Sequence, residues 1–166
     1  GQQRSIAGPV TGSGGLLKVG QGDVLLQGAF GAEGASVSDG RLLFFQGSLV
    51  NLTHLLVSGT GTLGGTANLQ AQRLTWSGGT ISGSAGSTLR LLGVGVNASA
   101  LSGSGRCLDA RQLTFAGEAD WTDGDLCLRN AARLAVDAGA ILRVTPAATT
   151  ALKNDDASAV QLLVQG

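Results

Sequence analysis

The chain has 166 residues, enough for one domain with its own core. Eleven Lys and Arg balance eleven Asp and Glu, and charged residues make up only 13% of the chain; without a basic surplus to neutralise phosphates, a nucleic-acid partner is disfavoured. The 28 glycines accompany only two prolines, which excludes collagen, 26 leucines supply enough apolar surface to argue against disorder, and no apolar run reaches the length of a membrane-spanning helix.

The chain does not begin with Met and shows no secretory leader pattern, so it reads as a mature product or an excised piece. Residues 1–42 form the less regular part, in which Val10, Phe30 and Val37 fit an apolar pattern only with loose spacing. From residue 43 to 145 the pattern is regular. Three apolar columns recur with a period of about 20: Leu49, Leu69, Leu89, Leu108, Leu128; then Leu55, Leu74, Val94, Leu113, Leu134; then Leu43, Leu63, Ile81, Leu101, Trp121, Ile141. A fourth line, Val57, Trp76, Val96, Phe115, Val136, follows two positions after the second column, which is strand spacing. Glycines such as Gly64-Gly65, Gly78-Gly79, Gly83 and Gly103 mark corners between short strands. Residues 146–166 read as a terminal rung with a loop at 153–158, where Leu152 and Val160 extend two columns.

This periodicity predicts an all-β fold: a right-handed parallel β-helix, or β-solenoid, with three short strands per rung and about 20 residues per rung. Eight rungs fit the length, and residues 1–166 form a single solenoid segment. A β-sandwich would not hold its columns in register over five turns. No amphipathic helix caps either end, so the expectation is a segment of a longer solenoid, or ends covered by neighbouring copies.

Cys107 and Cys127 each precede a first-column leucine and lie one rung apart. Equivalent positions on adjacent rungs come within disulfide range, which predicts a Cys107–Cys127 disulfide. The alternative is two free thiols. Earlier rungs place Ser48, Asn68 and Thr88 at this position, which suggests that it faces outward. Two N-glycosylation sequons occur, Asn51-Leu52-Thr53 and Asn97-Ala98-Ser99. Asn97 follows the inward Val96 and is expected on the surface. Asn51 lies two positions after Leu49 and is expected inward, which makes its glycosylation less favoured.

The line Gln70, Arg90, Asp109, Arg129 places Asp109 between two arginines as an outer charge ladder. Asp120, Asp123 and Asp125 crowd around a glycine turn and form a weak calcium candidate, without the spacing of an established calcium loop. With Arg106 and Arg129 they are also the one plausible catalytic set of a carbohydrate-active β-helix, but no long loop between residues 43 and 144 would build a cleft. The single histidine, His54, reads as a surface or packing residue, and no metal-ligand or phosphate-cradling motif is present. Thr60, Thr62, Thr66, Thr80 and Thr88 do not form the unbroken row that ordered water on an ice-binding face needs.

The runs Leu74-Thr75-Trp76-Ser77-Gly78-Gly79-Thr80-Ile81-Ser82-Gly83-Ser84 and Leu101-Ser102-Gly103-Ser104-Gly105-Arg106 resemble rungs of extracellular β-solenoids, as found in autotransporter-type and haemagglutinin-like adhesins and in algal and protist surface proteins. The resemblance covers about residues 43–145 and carries over no functional residue. It implies a right-handed parallel β-helix in a large cell-surface or filament protein, and the cysteine pair and the sequons, which depart from bacterial autotransporters, point toward a stiff structural or adhesive segment of a secreted or cell-surface eukaryotic glycoprotein. Such a segment is not an enzyme and has no cofactor. Its partners would be other extracellular proteins, neighbouring copies or glycans. The alternative is a carbohydrate-active or glycan-binding β-helix.

Overall fold

In the computed structural model, residues 2–18, 20–45, 47–145, 151–154 and 161–164 are described. In chain order the strands of the first half are β1 Gln3–Ile6, β2 Val10–Lys18, β3 Asp23–Leu26, β4 Phe30–Val37, β5 Arg41–Phe44, β6 Val50–Val57, β7 Thr62–Gly65, β8 Leu69–Trp76 and β9 Gly79–Ser82. Those of the second half are β10 Thr88–Leu91, β11 Ser99–Leu101, β12 Arg106–Asp109, β13 Gln112–Phe115, β14 Glu118–Trp121, β15 Leu126–Arg129, β16 Arg133–Val136, β17 Ile141–Val144, β18 Leu152–Asn154 and β19 Gln161–Val164. The helical content among the described residues is one 3-10 turn, Gly95–Asn97.

All pairings are parallel, and the chain coils through about seven turns of roughly 20 residues, one fewer than the length alone suggested. This is a β-solenoid. The first face is a continuous sheet in the order β1-β3-β5-β7-β9-β12-β15-β18. The second and third faces begin joined. β4, β6 and β8 are each eight residues long and run from one face onto the next. Every backbone group of an inner strand thus finds its partner on the turn before and the turn after, and short strands that could not stand alone are held by the stack.

At β8 the joined sheet forks. Its first half pairs with β10, Leu69 beside Leu89, and its second half with β11, Trp76 beside Leu101. The cause is an insertion. Residues 92–98, which include the 3-10 turn, separate two strands that earlier turns make as one. The steps from Trp76 to its partner Leu101 and from Ile81 to its partner Leu108 are therefore longer than the step between earlier partners such as Val57 and Trp76.

This insertion corrects the columns read from the sequence. The first face stacks Val24, Leu42, Leu63, Ile81, Leu108 and Leu128. The second stacks Val50, Leu69, Leu89, Leu113 and Leu134, with Leu52, Ala71, Leu91, Phe115 and Val136 two positions on. The third stacks Val37, Val57, Trp76, Leu101, Trp121 and Val144. A constant step carried each sequence column onto the neighbouring face: the first between Leu89 and Leu108, the second between Leu74 and Leu113, the third between Ile81 and Leu101. Val94 and Val96 fall in the inserted loop, 59% and 91% exposed, and Leu49 precedes the true core residue Val50. Leu42 and Phe44, not Leu43, are the buried residues of β5.

The segment before β5 contributes β1 to β4 to the same stack, with Val10 beside Phe30 and Val37 beside Val57. Phe30 and Phe44 meet edge to face at 5.2 Å between ring centroids. At the other end Leu152 lies beside Leu126, while Val160, Pro146 and residues 155–158 of the expected loop lie outside the described residues.

Three long cations lie inside this apolar coil. Arg111 donates from Nε to the Ser82 carbonyl (2.8 Å), from Nη1 to Thr88 (3.1 Å) and from Nη2 to Gly65 (2.8 Å). Burial pulls the pKa of its guanidinium down to about 10. Arg106 follows Gly79 in an inward row and stacks over Trp121 at 5.4 Å; burial lowers its pKa against the raising pull of Asp123 and Asp125. Lys18 donates to the carbonyls of Gly20 and Asp39.

Candidate functional site

Each inward side chain of a strand is followed by an outward one. The candidate residues therefore fall into outward rows whose membership is fixed by the pairing just described. Cys107 and Cys127 are direct partners in β12 and β15. They form a disulfide with their Cα atoms 4.6 Å apart. Their row continues through Thr80 and Thr62 rather than through Ser48, Asn68 and Thr88, because the cysteines stand on the first face. Cys107 is only 5% exposed within that row.

Asn97 is exposed in the inserted loop. The hydroxyl of its sequon partner Ser99 is buried and accepts the Leu74 amide at 3.1 Å. Asn51 is exposed as well, contrary to the inward position expected, because Val50 and Leu52 are the inward residues of β6. Its side chain accepts a hydrogen bond from Gln70 at 3.2 Å.

The outer charge ladder is split between faces. Gln70 and Arg90 are partners on the second face, where Arg90 pairs with Asp137 at 2.7 Å. Asp109 and Arg129 are partners on the first, so Asp109 has an arginine on one side and Ser82 on the other. Asn130 donates to Asp109 at 2.7 Å.

The three aspartates of the calcium candidate do not converge. Asp120 faces Arg143 at 3.3 Å, Asp125 is bound by Lys153 and by the Ala151 amide, and Asp123 accepts its neighbour Gly124 amide at 2.7 Å. The ion pair with Lys153 holds the Asp125 carboxyl below its ordinary value. Among the described residues no three His, Cys, Asp or Glu are grouped to hold a metal. Arg106 is buried and Arg129 lies on the first face, so the arginines and aspartates do not line a common cleft.

A different group is brought together that the sequence reading passed over. Glu33, His54 and Arg73 border a shallow groove on the third face, with Leu17 and Leu56 beside them. The stacked turns provide the signal, because His54 and Arg73 are cross-strand partners only once β6 and β8 are known to pair in register.

The chain matches no protein-family model, no curated protein and no solved structure.

Proposed function

We propose that the chain is a structural or adhesive segment of an extracellular protein, a stiff rod that spaces or presents other modules. The observation that supports this most directly is the disulfide clamping two successive turns of an otherwise uniform stack. Disulfides of this kind persist in oxidising compartments. Seven turns at about 4.8 Å give a rod roughly 34 Å long, its turns cross-linked by parallel backbone pairing along every face. Such a rod resists bending because bending must open many pairings at once. The exposed asparagines of both sequons fit a glycoprotein surface, and this reading requires no catalytic group.

Among the described residues no helix is long and apolar enough to cross a membrane. On the rod reading, the partners are other extracellular proteins, neighbouring copies or glycans that meet the outward rows.

The test is intact mass spectrometry of the protein from its natural source, before and after reduction and deglycosylation. The expected result is a two-proton mass difference mapping to Cys107 and Cys127, with glycan on Asn97. Free thiols together with a bare Asn97 would sink the secreted reading. Membrane-impermeant biotinylation of intact producing cells gives an independent check, and a protein labelled only after lysis would also count against it.

A further inference from the structure

The groove on the third face has an origin in the rows. Gly15, Gly34, His54 and Arg73 are successive outward partners across β2, β4, β6 and β8, and Leu17, Ser36, Leu56 and Thr75 form the next row. The two glycines leave a hollow where later turns carry an imidazole and a guanidinium. Its volume is about 430 Å³. That is within the usual size of small-molecule sites, about 300–1,000 Å³. A Cβ on Gly34 would come 2.9 Å from the His54 carbonyl oxygen, so the hollow and the close approach of the turns depend on the same glycine.

The side chains on its rim are unpartnered, as are those of the exposed Arg4 and Arg133 among the described residues, but Arg73 differs from these in being half-buried. Arg41 is paired with Asp23, Arg90 with Asp137 and Arg143 with Glu118. Arg73, His54 and Glu33 have no hydrogen-bond or ion-pair partner among the described residues, and Arg73 Nε is shut off from solvent without an acceptor. A half-buried guanidinium without a counter-ion favours an incoming carboxylate, which its planar fork can hold through two hydrogen bonds. Glu33 on the same rim repels a bare anion and accepts only from donors. A ligand that satisfies both carries hydrogen-bond donors, such as hydroxyl groups, next to its carboxylate. Leu17 and Leu56, 66% and 38% exposed, offer an apolar floor to the C–H face of such a molecule.

We propose that the Glu33–His54–Arg73 groove binds a hydroxylated carboxylate of the sugar-acid type, with the carboxylate on Arg73, hydroxyls on Glu33 and His54, and the C–H face on Leu17 and Leu56. Sulfate and phosphate fit less well, since neither offers hydroxyl donors to Glu33 together with an apolar face. This binding activity goes beyond the rod reading and does not depend on it.

The experiment is an amide NMR titration of the whole chain with sodium D-glucuronate, with D-glucose and sodium acetate in parallel. Saturable shifts are expected at Gly15, Gly34, His54 and Arg73. Glucose and acetate are expected to bind at least about tenfold more weakly, a difference of about 1.4 kcal/mol. Arg73→Gln should abolish the shifts and Glu33→Gln should narrow the preference for glucuronate over acetate. Gly15→Leu should block the groove from the opposite side without touching either charge. An unchanged far-UV spectrum identifies the folded variants. Equal affinity for acetate would overturn the proposal in favour of a plain carboxylate, such as an acidic side chain of a protein partner. Equal affinity for glucose, undiminished binding by folded Arg73→Gln, or no shift at the groove in the wild-type chain would each overturn it outright.

Discussion

Replacing Leu89 with Ala tests the corrected columns directly. Leu89 is fully buried on the second face, with Leu69 on the turn before it and Leu113 on the turn after. Leu→Ala substitutions in cores cost about 2–5 kcal/mol, more where the surroundings cannot collapse into the cavity. Both neighbouring turns are fixed by parallel backbone pairing, so the walls of this cavity cannot close without breaking ladder bonds, and the expected cost lies in the upper half of that range, about 4 kcal/mol. For a chain of this size each kcal/mol moves the melting midpoint by about 2–4 °C, so Leu89→Ala should lower Tm by roughly 8–16 °C. Val96→Ala is the matched comparison, since a constant period places it in the core while the inserted loop places it in solvent; its expected cost is below about 0.5 kcal/mol. Urea unfolding followed by far-UV dichroism and by the fluorescence of the buried Trp76 and Trp121 reads both variants. A Leu89→Ala variant within about 1 kcal/mol of the parent, or a Val96→Ala variant that costs as much as Leu89→Ala, would refute the assignment of these positions.

Three further outcomes are expected. The disulfide closes a sequence separation of 20. By loop-closure entropy it contributes about 3 kcal/mol, so the Cys107→Ser, Cys127→Ser double variant should show a loss near that size in urea unfolding, and an unchanged midpoint would argue that the bond is absent in solution. Arg111→Met removes the donor from three backbone carbonyls at once and should cost about 3–5 kcal/mol, whereas Arg111→Lys, which keeps the charge but reaches fewer acceptors, should lose less; equal losses in denaturant melts would show that charge and geometry do not matter there. Hydrogen bonding to Arg41 holds the Asp23 carboxyl below its ordinary value of 3.8, so its contribution is present above that pH and fades as pH falls through the lower folded value; Asp23→Asn should therefore differ from the parent in melts near neutrality and converge with it in strong acid, and a gap that persists in strong acid would assign the effect to packing.

The sequence carried the stacked architecture, because a parallel stack repeats its buried side chains and repetition survives as a period. It carried the cysteine pairing for the same reason: Cys107 and Cys127 lie in a stretch where the rung keeps its regular length, as the register of β12 and β15 shows. What it did not carry was the change of rung length between residues 82 and 99. Leucine and valine occur on all three faces, so a column that slips to the next face still meets an apolar residue and the slip leaves no trace. Leu101 follows Ile81 by one nominal rung and fits an apolar column by count, yet it belongs to the face of Trp76. The same slip by one position, Leu49 for Val50, placed Asn51 inside when it stands outside, since successive residues of a strand face opposite ways. Glu33, His54 and Arg73 were illegible for a different reason. They are distant in the chain and share no motif, so their adjacency exists only after three turns have been stacked in register.

The buried arginines show how the stack absorbs its own irregularity. Arg111 joins the carbonyl of Gly65 at the end of β7 to those of Ser82 at the end of β9 and Thr88 in β10, at the corner between the first and second faces, where the link from β9 to β10 is longer than that from β7 to β8. At such a corner the chain turns without continuing a ladder, and its carbonyls lose the backbone donors that regular rungs supply. A leucine would fill the volume and leave those acceptors unpaired. A guanidinium fills the volume and provides donors that radiate in a plane, enough to reach three carbonyls on separate segments. Arg106 occupies a comparable place beside the corner of Asp123 and Gly124, where its Nη2 donates to both carbonyls at 2.5 and 2.9 Å and its plane covers Trp121. Charged residues that composition assigns to the surface are thus what lets a solenoid with uneven turns keep an unbroken core; the burial cost of Arg111 is offset by three carbonyls at its corner, and that of Arg106 only in part, because its Nε and Nη1 are buried without an acceptor.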